Sequence, residues 1–212
     1  MKDAYRNIAW IYDRLFENIN KGIRLAGIRM FHPSNGMNIL DIGCGTGSHL
    51  KLYQRYGCNL YGIDFSPSML EIARARLGDS AQLELGDATS MPYENNKFDL
   101  IISMLFLHEM AKQTQSEVLS EMKRVLKDDG HILLIDFHPG PLQSLQGWVS
   151  KVIIFFSELA AGRKHFMNYR QFIAKQGLSN LAKINELEIE KQNIVAGGTF
   201  AIILVTCKNR TS

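Results

Sequence analysis

Three glycines at alternate positions, Gly43, Gly45 and Gly47, limit this chain's fold more than any other feature. They follow a short apolar run at residues 38–42 and precede a segment of helical length. Glycine lacks a Cβ, so such a turn can take positive φ and let backbone come close to another group. A second apolar run, 59–64, follows and ends on an acid, Asp64. Strand, tight turn, helix, strand is the unit from which parallel sheets are built.

The same rhythm continues along the chain. Further strands are expected at 82–86, 98–105 and 130–137, with helices between them. Ser66 is placed to cap a helix, with Pro67 at its first position and Glu71 in its first turn. Residues 117–127 put Val118, Leu119, Met122, Val125 and Leu126 on one stripe, and Asp128-Asp129-Gly130 stops that helix. The rhythm changes after Phe137. Pro139-Gly140-Pro141 breaks the chain, and 148–161 is apolar nearly all round. Two long strands, 187–196 and 199–208, are then joined by Gly197-Gly198, a hairpin signal.

Composition removes several classes of function. A net charge of +3 without a Lys/Arg-rich run argues against nucleic acid. Three scattered cysteines, Cys44, Cys58 and Cys207, offer neither a disulfide framework nor a zinc spacing, so no metal is expected and a cytoplasmic setting is. The polar start is unlike a signal peptide, and no apolar run approaches the ~20 residues that span a bilayer. With 212 residues and no repeat, the chain suits one domain.

The glycine turn can be read chemically. A turn of this kind after a first parallel strand brings backbone and helix N–H groups to a ligand. Asp64, ending the second strand, is placed to accept hydrogen bonds from two ribose hydroxyls, so the pair reads as a nucleoside site. A dinucleotide site would want its third glycine at position 48, which is Ser48. Asp41, two residues before Gly43, would repel a pyrophosphate and suits a cationic ligand. Glycines serving only tight strand–helix packing are the bland alternative.

At these residues the chain resembles the class I S-adenosylmethionine-dependent methyltransferases. Leu40-Asp41-Ile42-Gly43-Cys44-Gly45-Thr46-Gly47 is similar to that family's first motif, and Tyr61-Gly62-Ile63-Asp64-Phe65-Ser66 to its second. Leu85-Gly86-Asp87-Ala88-Thr89-Ser90-Met91-Pro92-Tyr93 resembles the third, and 98–103 and 121–131 the later landmarks. The wording is most like the branch that holds ubiquinone and menaquinone biosynthesis methyltransferases. The resemblance implies a Rossmann-like α/β fold of seven strands, mostly parallel, with helices on both faces and one antiparallel strand, 199–208. It implies S-adenosylmethionine as cofactor and S-adenosylhomocysteine as product. The expected cofactor residues are Asp41, Gly43, Cys44, Gly45, Gly47, Asp64, Phe65, Asp87, Ala88 and Met104. Among them Asp64 would hold the ribose, Asp87 the adenine amino group and Phe65 the adenine face. Met104 and Leu105 would line the methionine end, though apolar residues there also serve as core.

The domain then divides into a helical cap (1–35), a cofactor-binding core (36–137), a helical lid or substrate segment (138–186) and a strand hairpin (187–208). Methyl transfer from a sulfonium needs positioning first, and a base only if the acceptor must lose a proton. His108, beside Glu109 after the fourth strand, is the first candidate for such a base; Asp136 and His138 reach the same sheet edge. Tyr5, Trp10 and Tyr12 form an aromatic cluster, of which Tyr5 or Tyr12 would close the pocket unless the cluster is plain packing. The segment 148–161, followed by His165, Tyr169 and Arg170, reads as a lid over a small or lipid-like acceptor, as core or a homodimer surface, or as a peripheral membrane contact. Arg163, Lys164 and Arg170 would meet an anionic headgroup or form a solvated basic face. Other readings remain at this point: non-methyl chemistry on the same fold, an NAD-dependent oxidoreductase, or a binding module without catalysis.

Overall fold

In the computed structural model, which describes residues 9–160 and 162–208, the run before the glycine turn forms β1 (Asn38–Ile42). It is flanked by the parallel strands β2 (Asn59–Asp64) and β4 (Phe98–Met104), and β3 (Ala81–Leu85) lies outside β2. Beyond β4 come β5 (Leu126–Phe137), β7 (Phe200–Cys207) and β6 (Leu187–Val195), giving the order β3-β2-β1-β4-β5-β7-β6. β7 runs antiparallel to both its neighbours, so it is the one strand of opposite direction. The seven-stranded, mostly parallel sheet is the expected one, with Gly197 and Gly198 in the link between the last two strands. β1 is interior, although β4 takes the middle place.

Alternation along the strands divides the core. Leu40, Ile101, Ile132 and Ile203 point to one face; Ile39, Leu100, Ile102, Leu133 and Ile202 point to the other. The first face is covered by α4 (Lys112–Val125), through Val118, Leu119 and Met122, and by α7 (Gly177–Ile184), through Leu178 and Leu181. The second is covered by α1 (Ala9–Met30), α2 (Ser48–Tyr53) and α3 (Pro67–Leu77), through Ile23, Leu50 and Leu70. α5 (Leu145–Ala160) and α6 (Arg163–Ala174) follow β5. Ile154 and Tyr169 pack into the second cluster and Phe172 into the first.

Several expected boundaries move. Ser66 caps α3 by accepting the Met69 N–H at 3.3 Å with Pro67 behind it, but Glu71 falls beyond the first turn. α4 ends at Val125, and β5 begins at once. Phe98 pairs with Leu126 and Leu100 with His131, so residues 127–130 bulge from the ladder, held by the Lys127–Asp99 ion pair at 2.6 Å. The acidic stretch that reads as a helix stop is that bulge.

Candidate functional site

The carboxyl ends of β1, β2 and β4 open into a cleft that is continuous with solvent. Its floor is the glycine turn. The N–H groups of Gly43 and Cys44 both donate to Ile63 O, at 2.9 and 3.2 Å, which ties the turn to the end of β2. Gly43 has φ +69°, and a Cβ there would stand 2.5 Å from the Phe106 ring. Gly45 has φ +52° with open space where its Cβ would be, so bare backbone faces the cleft. Asp64 braces this arrangement: Oδ2 accepts the Gly45 N–H at 2.8 Å and Oδ1 the Ser66 N–H at 2.9 Å.

The cleft wall mixes charge with apolar surface. Asp41, Gly43, Cys44, Gly45, Asp64, Phe65, Met104 and Leu105 all line it. Asp41 is 2% exposed, and burial pushes its carboxyl up to about 8; Arg24 pulls the other way and Asp64 adds to the rise. Leu105 is held at φ +54°, a left-handed conformation that costs a branched residue on the order of 1–3 kcal/mol. Its N–H donates to Ile135 O at 2.8 Å, which holds the strained bend at the mouth.

Four expected residues lie outside this lining: Gly47, Asp87, Ala88 and His108. A Cβ at Gly47 would meet Leu77 of α3 at 2.7 Å, so this glycine serves helix packing. Asp87 is exposed and its Oδ1 accepts the Thr89 N–H at 2.9 Å, while Ala88 is buried among core residues. His108 is 2% exposed in a 3-10 turn, and its Nδ1 meets Asp136 Oδ1 at 2.7 Å. Burial alone would lower its pKa; the Asp136 charge and hydrogen bond, with Glu158, outweigh that and lift it to about 10. Glu109, the next residue, does reach the cleft. His138 stands apart, lowered by burial and by Lys151. Tyr5 lies outside the described residues, as do the side chains of Trp10 and Tyr12.

Sequence reasoning missed Asn20, Arg24, Thr46 and His49, all in the lining. Asn20 and Arg24 stand one helical turn apart on α1, two polar residues on its buried face, which was a readable signal. His49 is 4% exposed, and neither ring nitrogen has a hydrogen-bond partner. Burial, helped by the charge on Arg24, lowers its pKa to about 3, so the ring is neutral and able to donate or accept toward a ligand. Bare backbone, a buried acid and an unsatisfied imidazole in one cleft fit a nucleoside carrying a cationic, polar end.

Residues 40–134 match the model of a methyltransferase domain. An uncharacterized methyltransferase from Synechocystis sp. is 31% identical over 65% of this chain and 69% of that protein. A demethylmenaquinone methyltransferase from Desulfitobacterium hafniense is 28% identical over 96% of this chain and 88% of its own length. Against two other curated relatives the chain spans about half their length, 49% of each. Among solved structures, an S-adenosylmethionine-dependent methyltransferase from Aquifex aeolicus shares the fold with a TM-score of 0.61 and 16% identity, over 86% of this chain and 88% of that one.

Proposed function

The chain belongs to the class I S-adenosylmethionine-dependent methyltransferases, and from that premise we propose that its acceptor is small, with an apolar body and one nucleophilic atom, of quinone-precursor or lipid-like kind. The observation that carries this reading is the outer face of α5. Trp148, Val149, Val152, Ile153, Phe156 and Leu159 are all more than two-fifths exposed there. Such a face is costly in water and suits contact with apolar material. The name of the Desulfitobacterium relative supports a quinone-like acceptor.

Bound S-adenosylmethionine supplies a methyl carbon on a positively charged sulfur, and the C–S electron pair leaves with the sulfur as a neutral thioether that needs no acid. The chain's residues then bind and orient. Asp64 would hold the ribose hydroxyls with the acceptor capacity left over from its two backbone N–H bonds. Asp41 would attract the cationic end, and His49 would complete the hydrogen bonds of the polar end. Phe65, 41% exposed at the mouth, offers a flat apolar surface for the adenine. Met104, Leu105 and Phe106 keep water from the reacting end, and Gly43 leaves Phe106 the room to sit there. Residues 138–186 would carry the acceptor. None of the three cysteines is in a disulfide, which suits a reducing, cytoplasmic setting, and no described helix is long and apolar enough to cross a membrane.

Calorimetry with S-adenosylmethionine, S-adenosylhomocysteine and NAD, followed by turnover of labelled methyl donor on a demethylated naphthoquinol and on a polar amine, tests the reading. Transfer to the quinol alone is the expected result. Transfer only to the amine would overturn the acceptor class. Cofactor binding with no transfer to either would favour a binding module or other chemistry on this fold.

A further inference from the structure

Fifty residues separate His108 from Glu158 and seven separate Glu158 from His165, a spacing with no motif in it. The fold nonetheless brings all three together beneath α5. Glu158 Oε2 lies 3.6 Å from His108 Nε2 and 2.6 Å from His165 Nε2, and one ligand atom from each residue falls within 4.8 Å of the others. We propose that His108, Glu158 and His165 bind a divalent first-row transition metal ion, which clamps α5 and α6 onto the 3-10 turn at the mouth of the cofactor cleft. The inference stands on these side chains and does not depend on the acceptor proposed above.

The orientation of His108 is the first support. Asp136 Oδ2 accepts the His108 backbone N–H at 3.1 Å, and Oδ1 accepts the Phe137 N–H at 2.8 Å while meeting His108 Nδ1 at 2.7 Å. A carboxylate against Nδ1 makes that nitrogen the donor and turns Nε2 toward Glu158 and His165, so an ion bound there takes the place of the Nε2 proton. Metal-bound histidines are oriented in this way. The 3.6 Å separation on the other side is too long for a hydrogen bond.

Glu158 is the second support. It is 8% exposed, and its Oε2 is shared between two imidazoles, 2.6 Å from His165 Nε2 and 3.6 Å from His108 Nε2. A buried carboxylate oxygen in that condition wants a cation. Two imidazoles and one carboxylate suit zinc and its first-row neighbours, and three protein ligands leave a coordination position open. Metal–ligand bonds of roughly 2.0–2.1 Å place tetrahedral donors a little over 3 Å apart. The His108–Glu158 pair is already near that spacing. His165, on the outer helix α6 and only partly buried, has to retreat by less than about 1 Å. Phe137, Tyr169 and Phe172 ring His108 at centroid distances of 4.6, 6.2 and 6.4 Å, which keeps the donors fixed and dry. The competing occupant is a proton on His108 shared between Asp136 and Glu158.

The test uses the chelator-treated full chain, with Co²⁺ titrated by visible absorption, Zn²⁺ by calorimetry, and thermal melts in parallel. The expected result is one ion per chain, a Co²⁺ spectrum of low coordination number and a melting temperature raised by Zn²⁺. Glu158→Gln and His165→Ala alter one nearly isosteric and one partly exposed side chain, so both should fold. Each should weaken Co²⁺ binding by more than about tenfold, with S-adenosylmethionine affinity unchanged. Absence of absorption and of a melt shift at micromolar ion would give the pocket to the proton and overturn the proposal. Unaltered ion binding in both variants would overturn it equally, by placing the ion elsewhere.

Discussion

Burial keeps a proton on Asp41 in the folded chain that the unfolded chain has lost. Its pKa rises from 3.8 to about 8 because the carboxyl is cut off from water, despite the opposing charge on Arg24. Between those values the folded state binds more protons, so stability falls as pH rises. The Asp41 contribution is fully present below about pH 4 and is lost as pH passes about 8. Melts across pH 5–9 should therefore show a decline that Asp41→Asn flattens. A cationic ligand favours the ionised form, so its affinity should tighten by at most about tenfold per pH unit up to pH ~8 and level off above. Calorimetry at several pH values checks this, and Asp41→Asn should remove the slope. At Asp64, replacement by Asn keeps one oxygen for a backbone N–H but loses the charge. Cofactor binding should weaken about tenfold or more, since bonds to a charged group contribute ~1.5–3 kcal/mol.

Among the elements, the glycine turn and α5 make opposite demands. Gly43→Ala forces a side chain into positive φ, at ~1–2 kcal/mol, and into the Phe106 ring. Both melting temperature and cofactor affinity should drop in that variant. On α5 the outer residues should be dispensable for folding. Trp148→Ser with Phe156→Ser should change stability by no more than about 0.5 kcal/mol each, yet lower transfer to an apolar acceptor. Ile154, 9% exposed on the inner side, is the control, and Ile154→Ala should cost ~2–4 kcal/mol. Phe155 stands between these cases, 42% exposed with its ring 5.1 Å from Phe166, so Phe155→Ala should affect both properties partially. Equal losses of stability from all these variants would show that α5 is core.

Across the whole molecule, strand alternation, glycine spacing and the Ser66 cap were legible because each is a local property. A period of two places Ile39 and Leu40 on opposite faces wherever the strand lies, and a hairpin glycine pair needs only its neighbours. The same reasoning placed Asp41, Gly45 and Asp64 at one sheet edge, since strand ends and turns follow from the order of elements. Ile203 of β7, fully buried between β5 and β6, tests that architecture: Ile203→Ala should cost ~2–5 kcal/mol in a denaturant melt. The bulge at 127–130 was not legible, because Asp-Asp-Gly breaks a helix and a ladder with the same residues. Nor was the meeting of Arg24 with Asp41, or of His108, Asp136, Glu158 and His165. Sequence by itself determined the strands and the turn, through steric and periodic rules that act over a few residues, and its motifs carried the resemblance that implied the cofactor. Which polar side chains share a site across helices was decided only by the tertiary structure, because that depends on how α1, α5 and α6 pack against the sheet, and no local pattern encodes it.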